Sequence, residues 1–396
     1  MKRPGKNIFS EFFESEKTGG IILIQCSVIS LVLANLSFGH SYQHFWHQHA
    51  DLSFASLNLN LSIEEWINDG LMTIFFLMVG LEIERELYKG ELSNFRNAIL
   101  PIAAAVGGMV VPASIHYLLN HNLSTVSGFG IPMATDIAFS LGILSLLGNR
   151  VPVSMKVFLT ALAIIDDLGA IAVIGVFYTS DFSLTHFAVS IGIFALLMLL
   201  NKMGVKSMWF YLLPGIVMWY FMLQSGVHAT ITGVLLAFAL PFTEKDEDNP
   251  SYKLQHLLHK PVSFIILPIF AIANTALTVS AESLKTLADP NSLGIALGLV
   301  FGKPAGIFLA CYLLVKFKIA CLPDSMNLKV IMGVGFLAGI GFTMSFFISN
   351  LAFENDQTVQ ASKMAILAAT IIAGTAGYIM LRKLLPPREI QDKSSQ

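Results

Sequence analysis

The chain has 396 residues, of which 55% are apolar and only 13% are charged; its net charge is −2 and its mean hydropathy is +0.69. A water-soluble domain usually carries about 25% charged residues, so the composition excludes an ordinary soluble enzyme and indicates a membrane protein. The three cysteines form no CxxC or Cys/His pattern, which argues against disulfides and a structural zinc site.

The first part of the chain is expected to lie at the membrane surface before it crosses the bilayer. Residues 8–16 place apolar and acidic side chains on opposite helix faces, which predicts an amphipathic, cytoplasmic N-terminus over 1–18. The first span is predicted at 19–38. The polar segment 39–63 follows it, and the period-two stretch LNLNL (57–61) predicts a small periplasmic β-hairpin with an exposed edge. Four histidines in this segment, at positions 40, 44, 47 and 49, match no known ligand spacing, so an interfacial loop is favoured over a metal site.

The rest of the chain predicts an all-α polytopic protein of about twelve spans in a single transporter domain, 19–384. The further spans are expected at 65–86, 97–118, 127–147, 152–177, 184–201, 207–224, 226–242, 261–280, 291–314, 328–352 and 360–384. An even number puts both termini on one side. All lysines and arginines except Lys285, Lys303 and Lys363 fall on that side, which the positive-inside rule assigns to the cytoplasm. The loop 243–260, with its acidic cluster at 244–248, and the polar tail 385–396 are therefore predicted to be cytoplasmic.

A few ionisable residues lie deep within the predicted spans. Asp166 and Asp167 are adjacent within 151–178, a segment with apolar runs on both sides and no turn signal. Asp136 lies in the fourth span and Lys303 in the tenth. A charged side chain at mid-bilayer costs about 2.5–3.5 kcal/mol on insertion scales, so such residues usually line a polar pathway. Asp69, Glu82 and His228 lie nearer to span ends, where a solvated or capping role is equally open.

Two of the predicted spans are interrupted at mid-depth. The fourth contains Pro132, Thr135 and Asp136, and the eleventh contains Gly339, Gly341 and Thr343. Each is the second span of a trio, 3–5 or 10–12, and an offset of seven spans makes the trios inverted repeats. Paired broken helices of this kind point to an ion site at the midplane. Glycines also allow close helix packing, but packing alone does not require Thr and Asp beside a break. We expect Asp136 to balance the positive helix ends at the breaks, and Lys303 the negative ends.

Several segments together resemble the bacterial Na⁺/H⁺ antiporter NhaA family. They are WINDGLMTIFFLMVGLEIERE (66–86), PMATDIAFSLG (132–142), ALAIIDDLGA (161–170), SGVHAT (225–230), GKPAGI (302–307) and GIGFTMS (339–345). The resemblance runs over nearly the whole chain. It implies a secondary transporter, not an enzyme, that exports Na⁺ or Li⁺ in exchange for entering H⁺ and serves pH and sodium homeostasis. It also implies an inner-membrane location, a homodimer and no cofactor.

The resemblance implies roles for the central residues. Asp136, Asp166, Asp167 and Lys303 match the family's ionisable centre, and Thr135 is expected to help coordinate Na⁺ with Asp136 and Asp167. Adjacent helical residues point about 100° apart and cannot face one ion equally. We therefore expect Asp167 to bind the ion and Asp166 to pair with Lys303.

A second group of residues is expected at the cytoplasmic mouth. Glu82, Arg85, Glu86, His256 and His259 are candidates for a pH response, because histidine titrates near neutral pH. The chain departs from the best-known family pattern here: Gln255 replaces an acid and Tyr252 replaces a base. Ordinary solvated charges remain an equally good interpretation of this group.

The expected mechanism is competition between a proton and a hard cation for the same buried carboxylates. Alternating access converts that competition into exchange, and no nucleotide-binding motif is present in the sequence. Two other classes bury acids in membranes. An intramembrane aspartyl protease would need a GxGD-type motif, which the sequence lacks. A passive cation channel usually repeats its filter around a ring, whereas these residues form one asymmetric set.

Overall fold

The computed structural model describes residues 8–53, 59–179, 181–242, 249–323 and 325–386. The predicted acidic cluster at 244–248 lies outside these residues, as does the tail beyond 386. The amphipathic face predicted over 8–16 also lies outside the described side chains.

The described residues form an almost entirely helical bundle. The first half contains α1 (Ile8–Ala34), α2 (Gly39–Trp46), α3 (Ile63–Tyr88), α4 (Phe95–Asn120), α5 (Ser124–Met133, a 3₁₀ helix), α6 (Ile137–Ser145) and α7 (Val153–Phe177). The second half contains α8 (Leu184–Lys202), α9 (Trp209–Leu223), α10 (Ile231–Ala239), α11 (Pro250–Asn274), α12 (Pro290–Lys316), α13 (Leu328–Ala338), α14 (Phe342–Ala352) and α15 (Asp356–Leu384).

Many of these helices fit a bilayer. Within the described residues, seven are long and apolar enough to cross it, and ten spans result if each of three bent helix pairs counts as one. The sequence predicts twelve. The difference comes from α9, with 15 residues, and α10, with only nine, because a span needs roughly 20. The multi-pass membrane character is thus established, and the number twelve remains a prediction.

Two predicted boundaries are wrong. The first span does not run to residue 38: α1 ends at Ala34, and α2 departs from it at 120°. At this turn the side-chain amide of Asn35 donates a hydrogen bond to the Leu277 carbonyl at 2.8 Å. This bond connects the turn to the segment that follows α11. The segment 250–260, predicted as loop, is the start of α11. Asn249 caps this helix by accepting from the Tyr252 amide at 2.9 Å, and Pro250 occupies the first turn, where its missing N–H leaves no bond unmade.

A two-stranded antiparallel sheet lies between α2 and α3. Strand β1 (His49–Asp51) pairs with β2 (Asn60–Ser62), with His49 opposite Ser62. The predicted stretch 57–61 overlaps β2 only in part, and residues 54–58 are outside the described chain. The Trp66 indole donates to the Ala50 carbonyl at 3.1 Å, which fixes the hairpin on α3. We call this end of the molecule the outer end and the end at Tyr88 the inner end.

Close helix contacts hold the site's supporting elements together. Helices α4 and α12 approach so tightly at Gly107 and Gly306 that a Cβ on either would collide with the other's carbonyl oxygen. In the middle of the molecule α5 packs on α14, and α6 packs on α13. The two broken spans therefore cross, each half meeting the opposite half of its partner.

Candidate ion-binding site

The two broken spans meet at their breaks. Residues 134–136 leave the helical conformation between α5 and α6, which are bent by 43°, and residues 339–341 separate α13 from α14 with a bend of 51°. The Asp136 amide donates to the Ile340 carbonyl at 2.7 Å across the crossing. Gly339 is required here because a Cβ would strike the Leu299 carbonyl oxygen. Irregular backbone is tolerated at this depth only where the protein itself satisfies it.

Asp136 caps two helices at once. Its Oδ1 accepts from the Phe139 amide of α6 at 2.9 Å. Its Oδ2 accepts from the amide and the hydroxyl of Thr343, at the start of α14, at 3.0 and 2.5 Å. A carboxylate is favoured at a helix N-terminus because unpaired amides carry partial positive charge there. The expected balancing of the positive helix ends by Asp136 is therefore present in the structure.

The carbonyl ends of the first half-helices are satisfied by side chains. Lys303 donates to the Met133 carbonyl, and the Thr135 hydroxyl lies 2.9 Å from the Ala338 carbonyl. Ser140 donates to the Leu337 carbonyl and Ser345 to the Ile131 carbonyl, both at 2.8 Å. Sequence reasoning missed both serines. A signal was available: Ser140 is four residues beyond Asp136 and Ser345 four beyond Gly341, so equivalent hydroxyls follow both breaks.

Lys303 and Asp166 form a fully buried ion pair. The Lys303 Nζ lies 2.8 Å from Oδ2 of Asp166, and neither side chain is accessible to solvent. The Thr135 hydroxyl also donates to this oxygen at 2.8 Å. The helix turn before Lys303, Gly298–Gly302, is a π-helix, which shifts the register of α12 immediately ahead of the lysine. The predicted pairing of Lys303 with Asp166 is thus present.

Asp167 faces a different space from its neighbour. It lines a cavity of about 30 Å³ together with Thr135, Asp136 and Thr343, whereas Asp166 does not reach that cavity. Such a volume holds one or two water-sized spheres. Oδ1 of Asp167 is buried and has no hydrogen-bond partner within the described residues. Carboxylate and hydroxyl oxygens are the ligands that hard cations prefer, and both kinds of group line this cavity.

Of the residues predicted for a pH response and for the interrupted helices, only some line this cavity. Glu82 is 6% exposed and is the residue of α3 nearest the inner end that lines the cavity. Pro132 lies within α5 and packs against Gly298, and Gly341 precedes α14. Arg85 and Glu86 pair with each other at 3.3 Å, away from the cavity. Of the two histidines, His256 is exposed and His259 half-buried on α11, and neither lines the cavity.

Buried carboxylates at the crossing of two broken helices, with an ion-sized cavity beside them, define a membrane transporter for a small cation. Comparisons with known proteins agree with this class of transporter. Residues 10–381 match the model of the family described as Na⁺/H⁺ antiporter 1. The chain belongs to this family.

Individual relatives support the assignment, and a solved structure shares the fold. The Na(+)/H(+) antiporter NhaA of Flavobacterium psychrophilum is 56% identical, over 98% of this chain and 99% of that protein. The protein of the same name from Dechloromonas aromatica is 58% identical, over 94% and 95%. The structure of the sodium proton antiporter MjNhaP1 from Methanocaldococcus jannaschii at pH 8 has the same fold, with a TM-score of 0.55 at 13% identity, over 96% of this chain and 99% of that one.

Proposed function

We propose that the protein is a secondary sodium/proton antiporter, which exports Na⁺ or Li⁺ from a bacterial cell in exchange for entering H⁺. The observation that carries this function is the unpartnered oxygen of Asp167 in an ion-sized cavity shared with Asp136, Thr135 and Thr343. A buried carboxylate with an oxygen that lacks a hydrogen-bond partner is expensive in its ionised form. It must therefore take up either a proton or a cation, and both cannot bind at once.

The central residues have different roles. Asp167, with Asp136 and Thr135, binds Na⁺, and a proton that binds to Asp167 displaces the ion. Asp166 neutralises Lys303, and Thr135 touches both the pair and the cavity. An opening that alternates between the two sides turns this competition into exchange driven by the proton gradient. The transported ions are substrates, and no bound cofactor takes part.

The topology we propose is twelve spans with both termini in the cytoplasm of the inner membrane. The reciprocal packing of α5 on α14 and of α6 on α13 supports inverted repeats of spans 3–5 and 10–12. The short helices α9 and α10 pack on each other and complete the count. Arg85, Lys89 and Arg96 at the inner end support a cytoplasmic assignment for that end. The hairpin is then periplasmic.

A homodimer is proposed through the hairpin. Strands β1 and β2 form a sheet of only two strands, and such a sheet is marginal by itself and offers unpaired edges. A second copy of the same hairpin would extend the sheet across a two-fold axis.

A pH response at the inner mouth is a separate proposal. Glu82 is the one candidate of the group that lines the cavity, so a change in its charge acts on the ion directly. Arg85, Glu86, His256 and His259 do not line the cavity, so we assign the response to Glu82 and not to them.

Exchange in liposomes tests the function. Purified protein is reconstituted, an outward Na⁺ gradient is imposed, and internal pH is followed with a dye. We expect sodium-dependent proton movement in the wild type that persists when the membrane potential is clamped. Sodium flux without coupled proton movement would indicate a channel and overturn the proposal.

A further inference from the structure

A second, larger cavity opens at the outer end of the molecule. It has a volume of about 410 Å³ and is lined by carboxylates from α3 and from the segment around α15, together with Lys363 and several amides. It shares no lining residue with the small cavity at Asp167. We call it the outer vestibule.

A thin apolar layer separates the two cavities. On α3 the vestibule ends at Asp69 and the small cavity begins at Phe75; on α14 the corresponding residues are Asn350 and Met344. Six residues of helix span about 9 Å. Phe347 lies within this layer and packs against Phe76, next to Phe75 at the inner edge of the layer, with ring centroids 5.3 Å apart. A small separation of these helices would therefore join the vestibule to the ion site.

The side-chain amide of Asn274 lines the vestibule and connects α3, α14 and α15 by hydrogen bonds. Its Oδ1 accepts from Asn350 at 2.7 Å and from the Lys363 ammonium at 3.0 Å, and its Nδ2 donates to Asn68 at 3.1 Å. Nδ2 also donates to the Phe270 carbonyl at 3.1 Å, so every hydrogen-bonding position of this amide is filled. One side chain at the end of α11 thereby binds α3, α14 and α15.

Lys363 supplies the charge of this cluster. Its side chain is 6% exposed, and its Nζ lies 3.3 Å from Oε1 of Glu64. The other oxygen of Glu64 lies 3.6 Å from Nδ1 of His47. Hydrogen bonds that involve a charged group are about twice as strong as neutral ones, and Lys363 makes two such contacts to elements that must part for the vestibule to deepen.

We propose that Lys363 and Asn274 form the outer closure of the antiporter, and that the ion site opens outward only when Lys363 releases Asn274. The inference rests on the proposed antiport function, since it names the residues that hold one side of an alternating opening shut. Lys363 is a positioning residue: it does not touch the transported ion. Weakening the closure shifts the population toward the outward-open state.

The test compares sodium affinity from the two sides. Lys363→Met is reconstituted in one orientation, and the KM for Na⁺ is measured on the inner and on the outer face, with exposed Lys285→Met as the matched control. We expect the outer KM to fall and the inner KM to rise, each by about threefold or more, because a population shift favours the side that becomes open. Lys363→Arg should restore wild-type values, and Lys285→Met should match them throughout.

The outcomes separate the two proposals. General damage to the fold weakens binding from both sides, so changes of the same sign, or no change, overturn the closure while wild-type exchange remains intact. If Lys363→Met does not fold, Asn350→Ala removes one bond to Asn274 with the lysine in place, and the same opposite shifts are expected at smaller size. A wild-type protein that does not exchange Na⁺ for H⁺ overturns the antiport function itself.

Discussion

The Lys303 ammonium contacts only one oxygen of Asp166: Oδ2 lies 2.8 Å away, and Oδ1 is buried without a hydrogen-bond partner within the described residues. The charges of the pair cancel, but Oδ1 of Asp166 accepts no hydrogen bond from the described residues. This arrangement supports Lys303 as an element of structure next to the ion site, because its ammonium is already engaged by Asp166 and the Met133 carbonyl.

Removal of Lys303 should therefore affect the fold more than ion binding. We expect Lys303→Ala to lower thermal stability strongly, since breaking a buried ion pair costs about 3–5 kcal/mol through the charge left behind. Sodium affinity should fall by a smaller factor. Thermal unfolding in detergent and sodium-dependent exchange are the measurements. The double variant Asp166→Asn/Lys303→Met serves as control and should regain much of the stability; a double variant as unstable as Lys303→Ala would contradict this account.

The carboxylate of Asp167 should be indispensable for transport but not for folding. We expect Asp167→Asn to abolish sodium-driven proton movement, because an amide neither titrates nor carries the charge that attracts the cation. Its melting temperature should stay at or above that of the wild type, because the unpartnered charge disappears. Ser349→Ala, at another buried polar position that lines neither cavity, is the control. Normal exchange by Asp167→Asn in proteoliposomes would remove Asp167 from the ion site.

Substitution of Asp136 should reduce both exchange and stability. Asp136→Asn abolishes or severely weakens exchange and also reduces stability, since the neutral amide interacts less well with the two helix N-termini, each worth about 0.3–2 kcal/mol. The variant should nevertheless remain folded in the membrane. Thr343→Val separates the effects: it removes the 2.5 Å hydroxyl contact and keeps the carboxylate. If Thr343→Val exchanged as poorly as Asp136→Asn, the Thr343 hydroxyl and not only the charge of Asp136 would be needed for exchange.

Deletion of residues 50–60 tests the proposed dimer contact. It removes most of the ladder between β1 and β2 but none of the residues that line the small cavity. We expect monomers that still exchange Na⁺ for H⁺, measured by light scattering in detergent and by transport in liposomes. A shortened chain that stays dimeric would place the contact elsewhere.

Acid should weaken sodium transport by competition, with no contribution from His256 and His259. Protons and Na⁺ compete for the same carboxylates, so the apparent sodium affinity falls as pH falls. Saturating Na⁺ overcomes this competition. A separate sensor would leave a pH dependence at saturating Na⁺. We expect His256→Ala/His259→Ala to have the wild-type pH profile under that condition, because neither histidine lines the cavity. A shifted profile would identify the inner mouth as a sensor.

Sequence alone located the broken spans because their chemistry is conspicuous in an apolar chain. Asp136, Asp166, Asp167 and Lys303 stand out since lipid penalises charge, and Gly339 marks the second break. Helix geometry predicted only that Asp166 and Asp167 face different partners, and the resemblance to the family assigned Asp167 to the ion and left Asp166 for Lys303. These inferences depend on local composition and on the fixed 100° step of a helix, both of which are properties of the sequence itself.

Only the tertiary structure decided which polar groups satisfy one another. Ser140 and Ser345 lie close to the breaks in sequence, but their carbonyl partners belong to other helices more than 190 residues away. Asn274 likewise gathers partners from three helices. No periodicity encodes such contacts, because each depends on how close and at what angle distant helices pack.

The end of α1 and the start of α11 also depended on packing. Residues 250–260 are polar and were expected to form a loop, yet they are helical because Asn249 caps them and one face is buried against α3. Composition thus determined that the chain crosses a membrane and carries buried acids, with Asp136 at the first break and Asp166 and Asp167 on the unbroken helix α7. Packing decided which of those acids is paired with Lys303 and which faces an ion-sized cavity, because a side chain's partner is set by the helix that lies opposite it.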